Sequence, residues 1–288
     1  MSETIERVGV VGCGLMGSGI AEVCARAGLD VMVREVSEAA AEAGRARLVK
    51  SLDRGLSAGK LTEADRDAAI ARLGFTTDLR DLSDCHLVVE AVVEDEAMKV
   101  AIFEELDGVI TSDDAILASN TSSIPIMKLG TATQRPEQVI GIHFFNPVPV
   151  LKLVELVTSL MTSDDTTTRS EAFATDVLGK HVIRSQDRAG FIVNALLIPY
   201  LLSAIRMMES GFASADDIDT GMVEGCSHPM GPLRLTDLIG LDTTLAVAQS
   251  LYEEFKEPLY APPPLLSRMV DAGLLGRKTG RGFYEYPR

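Results

Sequence analysis

The chain has 288 residues, 46 % of them hydrophobic, and a formal net charge of −15 with an isoelectric point near 4.7. That length holds about two domains at ~100–200 residues each, and the apolar fraction excludes an intrinsically disordered chain. The acidic balance argues against nonspecific binding to DNA, RNA or an anionic membrane as the main activity.

MSETIER carries no signal or transit pattern and passes into VGVVG (8–12), a β-branched run that reads as a strand. GCGLMG (12–17) follows, and a helical stretch then runs to Gly28, a residue suited to a helix C-terminus. A GxGxxG loop alone is weak, but here it leaves a strand and opens a helix. Gly12 would permit the tight turn, Gly14 the approach of a pyrophosphate, and Gly17 the packing of helix on strand. The helix N-terminus would offer its N–H groups to the phosphates. VMVRE (31–35) ends the second strand on Glu35, 23 residues after Gly12. A carboxylate there accepts from ribose hydroxyls and repels a 2′-phosphate, which favours NAD over NADP. Arg34 beside it leaves two readings, a 2′-phosphate contact or a strand-end charge near the adenine.

Residues 37–72 are charged and alanine-rich and predict two helices broken near Ser57–Gly59. Within them, residues 44–60 hold Arg45, Arg47, Lys50, Arg54 and Lys60 against the single acid Asp53. Arg47, Lys50 and Arg54 share one helical face. That face is either solvated or a dock for a phosphate-rich ligand. HLVVEAVV (86–93), AILASN (115–120), VIGIHF (139–144), LKLVELV (151–157) and KHVIRS (180–185) predict further strands, alternating with helices in a parallel sheet. Asn120, Thr121, Ser122 and Ser123 follow one strand end and His143 closes another, so all reach the rim where α/β sheets bind ligands. Glu155 falls on the same side of its strand as Leu153 and Val157, a costly place for a carboxylate without a partner. His143 and Glu155 are either a general base with its orienting acid or a core histidine and a strand-edge glutamate.

Beyond residue 185 the pattern turns helical: 190–210, 214–224, 231–255 and 261–273. The apolar GFIVNALLIPYLLSAI (190–205) has 16 residues, short of the ~20 that span a membrane, and reads as a buried helix. Cysteines at 13, 24, 85 and 226 show no metal-ligand spacing and are expected buried and reduced, in the cytoplasm. The fold class is therefore α/β. A Rossmann-type doubly wound domain spans 1–185, and a smaller all-helical domain spans 186–288.

Taken together, GCGLMGSGIAEV, VVEAVVED, ASNTSSIPI, HFFNPVPVLKLVE, GFIVNALLIPYLLSAIR, HPMGPLRLTDLIGLD and GRKTGRGFYEY resemble the L-3-hydroxyacyl-CoA dehydrogenase family. The resemblance covers about residues 7–286 and is strongest to the monofunctional bacterial 3-hydroxybutyryl-CoA branch. It implies reversible, NAD-dependent oxidation of a (3S)-3-hydroxyacyl-CoA to the 3-oxoacyl-CoA. It also implies His143 as catalytic base paired with Glu155, Ser122 at the substrate hydroxyl near the nicotinamide, and Asn194 of the helical domain completing the site. Gly12, Cys13, Gly14, Leu15, Met16, Gly17 and Glu35 match the dinucleotide site. Glu94, Lys99, Asn146 and Lys278 match further cofactor contacts, and Ser51 matches a coenzyme A contact. Ala58 stands where the family has a lysine, so Arg54 or Lys60 is expected to replace it. Many relatives have Asp at the position of Glu35. The helical domain is expected to close over the substrate and to form a homodimer; no metal, nucleic acid or membrane is implied. The competing readings are the same chemistry on a longer or dicarboxylic thioester or with NADP, and a non-catalytic structural relative.

Overall fold

The computed structural model describes residues 4–287; residues 1–3, the start of MSETIER, and residue 288 lie outside the described part. The chain divides into two compact units, Met1–Asp187 and Arg188–Arg288.

The first unit begins with β1 (Arg7–Val11), α1 (Leu15–Arg26) and β2 (Asp30–Arg34). Two capped helices follow. Ser37 Oγ accepts from Ala40 N at the start of α2 (Glu38–Ser57), and a Thr62–Asp65 capping box opens α3 (Glu63–Ala71). Gly59 turns the chain between them at φ +67°. The half-buried LGFT segment forms β3 (Leu73–Thr76), a strand too short to show a period in the sequence. The remaining elements are β4 (Leu87–Glu90), α4 (Glu96–Val109), β5 (Ile116–Ser119), α5 (Ile126–Thr131), β6 (Val139–Phe144), β7 (Leu153–Thr158), α6 (Asp164–Ala172) and β8 (His181–Gln186).

Among the described residues the sheet has the order β3-β2-β1-β4-β5-β6-β7-β8. The first six strands are parallel. The expectation of a parallel sheet is corrected at β7, which runs antiparallel to β6 and pairs parallel with β8. Only residues 145–152 link β6 to β7, and a parallel crossover needs about a dozen residues or more. The strand order reverses between β1 and β4, where doubly wound sheets bind ligands outside the carboxyl ends. β1, β4, β5 and β6 are buried almost throughout. Their near-continuous apolar runs fit a sheet covered on both faces. Ile20 and Cys24 of α1 and Leu48 and Leu52 of α2 pack on them.

The second unit is helical: α7 (Val193–Glu209), α8 (Ala215–Cys226), α9 (Pro232–Ile239), α10 (Leu241–Phe255) and α11 (Pro264–Asp271). The single helix expected over 231–255 is two, because Gly240 breaks it at φ +105°. Ile198, Leu202 and Ile205 of α7 join Leu233, Leu241, Leu251 and Leu266 in the core. Leu196 on the same helix is 74 % exposed, so α7 is buried on one face rather than all round. No helix of the described residues is long and apolar enough to cross a membrane. Cys13, Cys24 and Cys85 are buried as expected; Cys226, at the last position of α8, is exposed.

Candidate active site

The glycine loop is shaped by its close contacts. Gly12 has φ +91°, and a Cβ there would lie 2.9 Å from the Ala91 carbonyl oxygen. A Cβ on Gly17 would stand 1.8 Å from the Gly12 carbonyl oxygen. Nothing lies within 4 Å of a Cβ built on Gly14, which is exposed and leaves the loop open on its outer side. The peptide of Cys13 is clamped from both directions. Glu35 Oε1 accepts from Cys13 N at 2.5 Å, and Arg47 donates to the Cys13 carbonyl at 2.5 Å. Burial first, and then the nearby Glu35 carboxylate, push the Cys13 thiol up to about 11, so it stays protonated at neutral pH. Leu15, Val36 and Val93 follow the carboxyl ends of β1, β2 and β4 and are 64 %, 73 % and 65 % exposed. An open glycine turn, a carboxylate keyed to it and an apolar rim fit a dinucleotide.

Antiparallel pairing of β6 with β7 sets His143 directly across from Glu155. Glu155 is fully buried and His143 is 4 % exposed. Their Nδ1–Oε2 distance is 2.8 Å. On the other side of the ring, Nε2 lies 3.1 Å from Ser122 Oγ. The imidazole is thus fixed at both nitrogens, with a carboxylate behind the ring and a hydroxyl in front of it. Asn120 Oδ1 accepts from Phe144 N, which ties the end of β5 to β6 beside the histidine.

Ser122 sits in a loop held by one carboxylate. Glu94 Oε1 accepts from Thr121 Oγ1 at 2.6 Å, Ser122 N at 2.8 Å, Ser123 Oγ at 3.0 Å and Ser123 N at 3.1 Å. Burial opposes the charged form of Glu94, but Lys99 and these loop donors outweigh it and hold its pKa below the ordinary value. Asp187 secures the far end of the loop by accepting from Ile126 N and Met127 N. Lys180 fixes the turn between the histidine and glutamate strands through Val148 O at 2.6 Å and Leu151 O at 2.8 Å. Burial, and then the neighbouring Arg26, lower the pKa of Lys180.

The structure gathers Ser122, His143, Glu155 and Glu94 in one constellation. Lys99 stands behind it, 1 % exposed, with its ammonium on Glu90 and Glu94. Asn146 is exposed two residues beyond β6, and the peptide bond to Pro147 is cis. The basic face of α2 divides. Arg47, though exposed, donates to the glycine loop, whereas Lys50 and Arg54, and Lys60 just beyond the helix, are exposed without that contact, and Ser51 is half-buried between Lys50 and Arg54. In the second unit, Asn194 is half-buried in the first turn of α7, and Lys278 pairs with Asp242. Glu90, Ser119, Asp187 and Lys180 escaped the sequence reading. A glutamate inside the apolar run LVVEAVV was an available signal, of the same kind as Glu155 in LKLVELV.

Two family models match the chain. The NAD binding domain of 3-hydroxyacyl-CoA dehydrogenase matches residues 7–188, and the C-terminal domain of the same enzyme matches residues 190–286. The chain is 65 % identical over 286 residues to a 3-hydroxybutyryl-CoA dehydrogenase of Mycobacterium tuberculosis, covering 99 % of this chain and 100 % of that one. It is 41 % identical over 290 residues to the mitochondrial hydroxyacyl-coenzyme A dehydrogenase of Rattus norvegicus, covering 98 % and 91 %. The crystal structure of (S)-3-hydroxybutyryl-CoA dehydrogenase PaaH1 from Ralstonia eutropha superposes with a TM-score of 0.93 at 48 % identity, covering 99 % of this chain and 100 % of that one.

Proposed function

The chain belongs to the 3-hydroxyacyl-CoA dehydrogenase family, and we propose that it oxidises (3S)-3-hydroxybutyryl-CoA, or a similar short-chain thioester, reversibly to the 3-oxoacyl-CoA. It is an NAD-dependent oxidoreductase. Bound at the glycine loop and Glu35, the nicotinamide cofactor supplies the hydride acceptor. The observation that carries the mechanism is the line Ser122–His143–Glu155, with contacts of 3.1 and 2.8 Å. His143 Nε2 takes the proton of the 3-hydroxyl, Ser122 Oγ orients that hydroxyl, and Glu155 compensates the imidazolium. In the reverse direction the imidazolium returns the proton to the developing alkoxide. Asn194, Asn146 and Lys278 keep, within this proposal, the substrate and cofactor roles implied by the family resemblance.

Turnover measured with NAD and NADP across acyl-CoA chain lengths tests the reading. NAD and the four-carbon thioester are expected to give the highest kcat/KM. A preference for NADP, or for a long or dicarboxylic thioester, overturns the corresponding part.

The exposed Lys50, Arg54 and Lys60 are proposed to dock the phosphates of coenzyme A beside Ser51. Reversing the charge of Lys50 and Arg54 should raise KM for CoA thioesters and leave NAD affinity unchanged. Arg47→Ala should do the opposite, because Arg47 serves the glycine loop. Equal effects on both ligands would show that the patch is only solvated.

A homodimer through the helical unit is likewise proposed. Met207 and Phe212 are 42 % and 79 % exposed beside an apolar groove of about 350 Å³ lined by Tyr200, Ala204, Ile218 and Met222. Phe212→Glu should shift the sedimentation mass from two chains to one. A cytoplasmic location completes the proposal.

A further inference from the structure

Glu90 is the last residue of β4 and is fully buried. A carboxylate taken wholly out of water is costly unless ionic and hydrogen-bond partners surround it. Glu90 has both. Oε1 accepts from Val92 N at 2.6 Å and from the Lys99 ammonium at 2.7 Å, and Oε2 accepts from Ser119 Oγ at 2.6 Å. In register it lies between Val11, which leads into the glycine loop, and Ser119, which leads into the serine loop.

Two arms run from Glu90 into the loop that carries Ser122. The first passes through Ser119, whose Oγ also accepts from Thr121 N at 3.1 Å. The second passes through Lys99, whose ammonium reaches Glu94 Oε2 at 3.3 Å. Glu94 in turn gathers the N–H of Ser122 and the donors on either side of it. Two carboxylates share one ammonium, which leaves Glu94 charge to spend on the loop. A buried ion pair by itself is weak support for stability. This one has one arm ending on Thr121 N, next to Ser122, and the other on Ser122 N through Glu94, and Ser122 is the serine that touches His143.

We propose that Glu90, acting through Lys99 and Ser119, is a positioning residue that sets Ser122 against His143. The inference rests on the reading of Ser122 and His143 as reacting groups. Glu90 is fully buried, so it acts through Lys99 and Ser119 rather than by touching the reacting groups.

The test is a double-mutant cycle of Glu90→Gln with Ser122→Ala, with Lys99→Met as a probe of the second arm. Glu90→Gln keeps the shape and one acceptor but removes the charge. It should lower kcat by about tenfold to a hundredfold, the scale of an ångström misplacement, with KM for NAD little changed. In the Ser122→Ala background the same substitution should cost no more than about twofold, the scatter of independent sites. Lys99→Met should lower kcat in the same way. Additive losses in the cycle, or a Lys99→Met effect confined to KM for NAD, overturn the inference while leaving the proposed reaction intact. An unchanged kcat in Ser122→Ala overturns the role of that serine and the inference with it. If Lys99→Met fails to fold, the cycle on Glu90 decides alone.

Discussion

His143→Gln is expected to lower kcat by about 10²–10⁴-fold, the usual contribution of a positioned general base, while NAD affinity stays unchanged. Glutamine still offers a donor to Glu155 and a polar group to Ser122, so the β6–β7 pairing should persist. It cannot carry a proton in either direction. Because the proposed cofactor site at the glycine loop and Glu35 does not include His143, titration with NAD should be unaffected. Glu155→Gln is expected to give a smaller loss, since the amide keeps an acceptor for Nδ1 and loses only the charge that compensates the imidazolium. Steady-state kinetics with the four-carbon thioester check both. Full activity in His143→Gln would remove it as the base, and a Glu155→Gln loss exceeding that of His143→Gln would contradict the order of roles.

Gly17→Ala is expected to abolish NAD binding and lower the melting temperature together. Its methyl group would meet the Gly12 carbonyl at 1.8 Å, a backbone atom that no side-chain rotation can move aside. Either α1 lifts from β1 or the loop opens, and overpacking of this kind costs about 1–3 kcal/mol or more. Gly14→Ala makes the contrast, for nothing lies within 4 Å of its new methyl group. That variant should melt like the parent and still bind NAD weakly, because the methyl occupies the side on which a pyrophosphate approaches. Calorimetry with NAD titration separates the two. A normal melting temperature in Gly17→Ala would mean that the loop yields more easily than the close contact implies.

Local chemistry made much of this protein legible. The glycines of 12–17 announce a turn because only a missing Cβ allows it, and Glu35 declares itself by standing at the end of the next strand. The helix end at Gly28, the turn near Gly59 and the change to helices beyond residue 185 were also readable, since helix ends and periods are set by neighbours in sequence. β3 was not, because four half-buried residues carry no period. The break at Gly240 was hidden too, as one glycine inside a helical pattern is usually tolerated.

The chain sequence by itself determined which groups could do chemistry: a histidine at a strand end, serines at another, a glutamate in an apolar strand and a phosphate loop. It left His143 and Glu155 open between catalysis and core. Tertiary structure brought the two together through the reversal of β7, whose antiparallel pairing with β6 puts residue 155 opposite residue 143. It likewise drew Arg47 out of the basic face and onto Cys13, and set Lys99 beneath Glu94 where no spacing rule reaches. The physical reason is common to all three. Sequence periodicity reports which side a residue faces, whereas a charged group takes its partner from whichever strand, helix or loop folding brings within hydrogen-bond distance, and must find one where, as at Glu155 and Lys99, it is withdrawn from water.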